Sequence, residues 1–211
     1  MRNKAAKNTK TVTRRQKAHF IVHAGLPTDF VESELKLVIS DYVDPLLDAF
    51  DNLNKATHVR AEKIVFKGKE VRQILSGVLW GLLNLLGAAA NARSDLERIT
   101  SETMYNAVFV NLISESIQEL DELSTHTMVE GHFIDKVEVV ELNAKEVVYE
   151  VTGEVEVELQ YGSNSDIRND IGVRINDSYP HKATVLSRAA TPMEINAEDV
   201  DLKVDNSRFY E

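Results

Sequence analysis

From Gln73 to Ala92 the chain runs twenty residues without a charge, QILSGVLWGLLNLLGAAANA, between Arg72 and Arg93. A run of this kind becomes a helix sunk in a core, a helix packed on a partner, or a bilayer span, because about 20 helical residues cross a membrane. Gly77-Val78-Leu79-Trp80-Gly81 matches the small-xxx-small pattern of packed membrane helices. Against a span stand the polar Gln73, Asn84 and Asn91, the three glycines, and amphipathic flanking segments that need something to cover. The expectation is a core helix over about 70–92. Being apolar all round, it should be buried all round. Gly77, Gly81, Asn84 and Ala88 would then form a small-residue stripe where a neighbour comes close.

The segments before this run read as helices. Arg14 to Ala24 should be a short helix stopped by Gly25 and Pro27. Phe30, Val31, Leu35, Val38 and Ile39 follow at helical spacing, with Glu32 and Glu34 in the first turn, where the helix dipole favours them. Asp44-Pro45 restarts a helix with Leu46, Leu47, Phe50 and Leu53 on one face. Ile64, Val65 and Phe66 fit a strand or a helix end. Beyond the apolar run, Ser94 with Glu97 three residues on predicts a capping box and a new helix. Thr100 or Ser101 would start another helix, with Met104, Val108, Val110, Leu112, Ile113, Ile117 and Leu120 as its buried positions.

From about Val129 the period changes from 3.6 to 2. Val147, Tyr149, Val151, Val155, Val157 and Leu159 alternate with Glu150, Glu154, Glu156, Glu158 and Gln160, the pattern of antiparallel strands with one dry and one wet face. Asn143-Ala144 and Thr152-Gly153 are the expected turns. A polar loop should follow over 162–180, with further strands at Ala183–Leu186 and Val200–Val204. The fold class is therefore α+β: a helical half around a buried apolar helix, then an antiparallel β half, sandwich or barrel-like. The expected domains are a mobile basic arm over 1–12, a helical domain over 13–124 and a β domain over 127–211.

Charge is split between the halves. The net charge is -10, yet the first 93 residues carry 15 Lys and Arg against 9 Asp and Glu, and the remainder 9 against 25. The first 28 residues hold seven basic side chains and no acid, among them Arg14, Arg15 and Lys17. These three are the candidates for sequence-independent phosphate binding through residues 2–17. Glu154, Glu156 and Glu158 project from one strand face ~7 Å apart and are the candidate contacts for a basic protein partner.

Catalytic signatures are missing. There is no cysteine, which excludes thiolate chemistry and disulfides and fits a reducing compartment. No nucleophile elbow, phosphate loop or dinucleotide fingerprint occurs. His19 and His23 stand four apart, but HFIVH lacks the glutamate of a metalloprotease helix. Arg14 and His19 share the Arg-x4-His spacing of some helical ribonucleases, a spacing chance also produces. The loop around Asn164, Asp166, Asn169 and Asp170 departs from a calcium loop at Arg168. His126, His132 and His181 are scattered. The composition thus points to a cytoplasmic, non-enzymatic interaction or accessory protein, with a protein partner or a second copy as its ligand and no cofactor or metal. The alternative is a nucleic-acid-binding protein using the arm, with a metal-dependent hydrolase or nuclease third.

Overall fold

The computed structural model describes residues 12–57 and 67–211. But for Val12, the basic arm expected over 1–12 lies outside the described residues, as do Ile64, Val65 and Phe66. Among the described residues are six α-helices and four strands: α1 (Arg14–His23), α2 (Thr28–Ser33), α3 (Ile39–Thr57), α4 (Gly68–Ser114), α5 (Gln118–Asp121), β1 (His126–Leu142), β2 (Glu146–Tyr161), α6 (Asn164–Arg168), β3 (Val173–Arg188) and β4 (Val200–Val204). The α+β organisation read from the change of period is there: helices first, then an antiparallel sheet. The chain divides into two compact units. One holds α1–α3 and α4 through Ala92; the other holds Gly25–Pro27 and Arg93–Glu211.

In the first unit, α1 starts on a reciprocal cap. The Thr13 side chain accepts from the Gln16 backbone N–H, and the Gln16 side chain accepts from the Thr13 N–H. Ala24, in the left-handed region at φ 48°, ends it. Arg15 pairs with Asp44 of α3 at 2.7 Å. The helix expected from Phe30 to Ile39 is shorter, because Lys36 takes a positive φ of 57° and breaks it. Pro45 does not restart a helix but lies inside α3.

The uncharged run is helical as expected, but only one stripe of it is buried: Val78, Gly81, Leu85, Ala88 and Ala92, at spacings of 3, 4, 3 and 4. A Cβ on Gly81 would lie 3.0 Å from the Leu46 Cα, so the small residue lets α3 approach closely there. Gly77 and Asn84 are exposed, and so are most of the leucines. Among the described residues, this run apolar all round is covered along one side only, with α3 against it at Gly77 and Gly81. The expected break at Ser94 is also absent. From Asn91 to Arg98 there is neither glycine nor proline to stop propagation, so α4 continues for 47 residues, about 70 Å.

Glu97, freed from capping, instead accepts a hydrogen bond from the Val139 backbone N–H at 2.8 Å. That bond ties the second half of α4 to β1 in the second unit. Asn111 donates to the Ala197 and Val200 carbonyls at 3.1 and 3.3 Å, fixing the entry to β4. The strands form one sheet in the order β1-β2-β3-β4, a meander of antiparallel neighbours; among the described residues there is one layer, neither closed nor doubled. Its inner face carries Tyr149, Val151, Val155, Val157, Tyr179, Ala183 and Val185, all buried. The edge strand β1 carries three register shifts, between Val129 and Gly131, Ile134 and Lys136, and Val139 and Glu141. Bulges of this kind bend an edge away from intermolecular pairing. Asn143 makes the β1–β2 turn, its side chain accepting from the Lys145 and Glu146 amides. Thr152-Gly153, expected as a turn, lies in the middle of the sixteen-residue β2.

Candidate functional site

The geometry of the sheet joins two residues that are 49 positions apart in sequence. His132 on β1 pairs with Val155 of β2, and His181 on β3 pairs with Gly153 of β2. Both side chains point to the inner face, on strands that flank β2 from either side. The strand between them carries no side chain at Gly153, and the rings close across that gap to a centroid distance of 5.8 Å, tilted by 48°. His132 is 2 % exposed and His181 3 %.

Hydrogen bonding distinguishes the two rings. Nε2 of His132 lies 3.1 Å from the Tyr105 carbonyl of α4. A carbonyl can only accept, so this bond fixes the proton on Nε2 and leaves Nδ1 with a bare lone pair. Nδ1 is closed off from water and has no partner among the described residues, and the same is true of both nitrogens of His181. The Phe133 carbonyl faces His181 at a geometry short of a formed hydrogen bond. Buried polar atoms left without partners are rare in folded proteins, and three of them fall on this one histidine pair.

Tyr105 stacks on His132 at 4.2 Å with 23° between planes, and Phe109 lies on the ring at 5.6 Å and 8°. Tyr105 is 41 % exposed, a half-open aromatic cover. His181 also lines a cleft of about 590 Å³ shared with Asp135, Thr152, Lys182, Lys203 and Asp205. Lys182 pairs with Glu150 at 2.7 Å. Lys203 has no ion-pair partner among the described residues.

Burial holds the His132 imidazole below its ordinary pKa, partly offset by the Tyr105 carbonyl. For His181, burial and then the repulsion of His132 lower it, while the Phe133 carbonyl and Asp135 favour its charged form. Both rings are therefore neutral at pH 7. Because the folded pKa lies below the unfolded one, about 6.5, the unfolded state binds more protons once the pH drops under that value. Stability contributed by the pair is complete above pH 6.5 and lost as the pH falls toward the depressed folded values. The thermal midpoint should fall between pH 7.5 and 5.5, and fall less in His181→Gln; equal falls would show that the pair does not titrate with folding.

Other residues singled out in the sequence lie elsewhere. Arg14, Arg15 and Lys17 are exposed on α1. Arg14 and His19, five residues apart on a helix, are turned about 140° from each other and do not converge. His19 and His23 share a face of α1, His23 edge-on to Phe20 at 5.7 Å. Glu154 and Glu156 are exposed on the outer face of β2, and Glu158 beside them pairs with Arg174 at 3.2 Å. Asn164 and Asp166 lie in α6, where Asp166 caps Ser163. Among the described residues no three His, Asp or Glu side chains are grouped so as to hold a metal ion.

Two family models match the chain, one over residues 89–210 and the other over residues 1–82, both described as predicted pPIWI-associating nuclease. No curated protein and no solved structure matches it. The matches overturn the expectation of a non-enzymatic accessory protein: the family description is that of a nuclease, the third of the readings the residues allow.

Proposed function

The chain belongs to the predicted pPIWI-associating nucleases, and from that premise we propose that it cleaves RNA, with His132 and His181 moving the protons. The observation that carries this reading is the buried pair of histidines with nitrogens left without partners. Nδ1 of neutral His132 takes the proton of a ribose 2′-hydroxyl, and the oxygen attacks the adjacent phosphorus. The bond from phosphorus to the 5′-oxygen breaks, and His181, protonated, gives its proton to that leaving oxygen. One fragment then ends in a 2′,3′-cyclic phosphate and the other in a 5′-hydroxyl. Asp135 favours the charged form of His181, which suits the acid role. Lys203, on the rim of the same cleft, faces the charge that develops on the phosphate. Substrate reaches His132 once Tyr105 swings aside, and the exposed ring then offers a stacking surface for a base.

The test is incubation of the purified chain with a labelled single-stranded RNA and an all-deoxy oligonucleotide of the same sequence. The RNA should be cut to cyclic-phosphate ends and the deoxy strand left whole, since it lacks the attacking hydroxyl. Equal cutting of both would end the proposed mechanism. Cleavage by two imidazoles should also persist in a chelator.

The exposed cations of α1 would hold the phosphate backbone. Arg14 and Lys17 have no ion-pair partner among the described residues, whereas Arg15 is held by Asp44. Replacing Arg14 and Lys17 with serine should lower the slope of log affinity against log salt by about 1.4, at roughly 0.7 per single-strand phosphate contact. An unchanged slope would remove α1 from the binding surface.

A further inference from the structure

Among the described residues, nothing covers a continuous apolar face on the first half of α4. Leu75, Leu79, Leu82 and Leu86 follow one another at spacings of 4, 3 and 4, the seam of a helix that packs along another helix. Leu83 widens it on one side, and Trp80 lies further round on that side. Trp80 is 65 % exposed, Leu79 62 % and Leu83 61 %. The stripe that α4 buries in its own fold, Val78, Gly81, Leu85 and Ala88, is a separate one.

We propose that this seam pairs with the same seam of a second copy of the chain, antiparallel, about a two-fold axis passing between Trp80 and Gly81. The spacing and the area fit a copy of itself. Read backwards, 4-3-4 is again 4-3-4, so antiparallel pairing sets Leu75 opposite Leu86 and Leu79 opposite Leu82 on both sides of the axis. Such a self-complementary contact is what two-fold symmetry requires. No charge lies between Arg72 and Arg93, so the pairing buries none and opposes none. The five leucines, each between about one-third and two-thirds open, present on the order of 500 Å² per copy, taking roughly 100 Å² for each. Two copies then remove on the order of 1,000 Å², the level at which a contact becomes a specific interface.

A bilayer is the other apolar medium that α4 is long enough to meet. It reads apolarity around a helix, not spacing along it. Behind the seam run Glu70, Gly77, Asn84 and Asn91, a largely polar stripe seven residues apart, and α3 covers part of the flank at Gly77 and Gly81. That distribution suits a partner on one side.

Sedimentation of the full chain at micromolar concentration should give a dimer. Leu79→Glu with Leu82→Glu should give a monomer with an unchanged far-ultraviolet spectrum; a wild-type monomer would overturn the proposal. The chain has no cysteine, so crosslinks report the register cleanly. Leu75→Cys with Leu86→Cys should oxidise to a covalent dimer. Leu75→Cys alone should not, since eleven residues set the two thiols about 16 Å apart along the axis. Crosslinking of the single variant would mean a parallel pair and would overturn the two-fold antiparallel arrangement. Flotation of the wild-type chain with phosphatidylcholine vesicles would assign the face to lipid instead.

Discussion

Replacing either histidine of the pair by asparagine is expected to lower RNA cleavage by about 10²–10⁴-fold, the contribution typical of a positioned proton donor or acceptor. His132 and His181 should each produce the full loss, and the double variant little more, because the proton taken and the proton given belong to one reaction. Asparagine keeps a polar group in each buried space, so the folded chain can be verified by its spectrum before activity is measured. A folded His181→Asn that cuts RNA at the wild-type rate would return the pair to a packing role. The pKa directions add a second readout. The base must be neutral and the acid charged, and burial holds both rings below the ordinary histidine value. The rate optimum should therefore lie on the acidic side of pH 6.5.

Gly153→Ala should be the most damaging single methyl that the sheet can receive. Its Cβ would fall 1.9 Å from the Phe133 carbonyl oxygen, 2.9 Å from that carbonyl carbon and 3.0 Å from Nε2 of His181. Two of these neighbours are backbone and cannot step aside as a flexible side chain would. Relief requires β1 to shift at its bulge between Ile134 and Lys136, the strand segment that also carries His132. A loss of about 3 kcal/mol follows from forced overpacking. That corresponds to a midpoint lowered on the order of 10 °C for a unit of this size. The control is Gly87→Ala on α4, where nothing lies within 4 Å of the added carbon. There alanine should be neutral or stabilising by up to about 1 kcal/mol, through helix propensity. Equal midpoints for the two variants would mean that the close approach of β1 to β2 is not needed.

The change from helical to alternating period and the Gly25 and Pro27 stop of α1 are local properties, which is why the α+β order, the end of α1 and the outward row of Glu154, Glu156 and Glu158 could be read from the residues. What depends on neighbours distant in sequence could not. Ser94 and Glu97 satisfy the pattern of a helix start, yet Glu97 is taken by the Val139 amide, 42 residues away. Thr152-Gly153 reads locally as a turn because glycine marks turns. In the sheet Gly153 is the space that lets the Phe133 backbone and two imidazoles meet. The histidines looked scattered for the same reason. Only the register of β1 and β3 on β2 brings them together, and register is set by bulges that no local pattern announces. The single-sided cover of α4 follows from how many helices surround it, which periodicity does not encode.

The most direct test of the proton-transfer pair is the pH–rate profile of RNA cleavage by the wild-type chain and by His132→Asn and His181→Asn. The wild type should trace a bell. Loss of the base should erase its acid limb, and loss of the acid its alkaline limb. A bell that survives intact in both variants would place the chemistry on other residues.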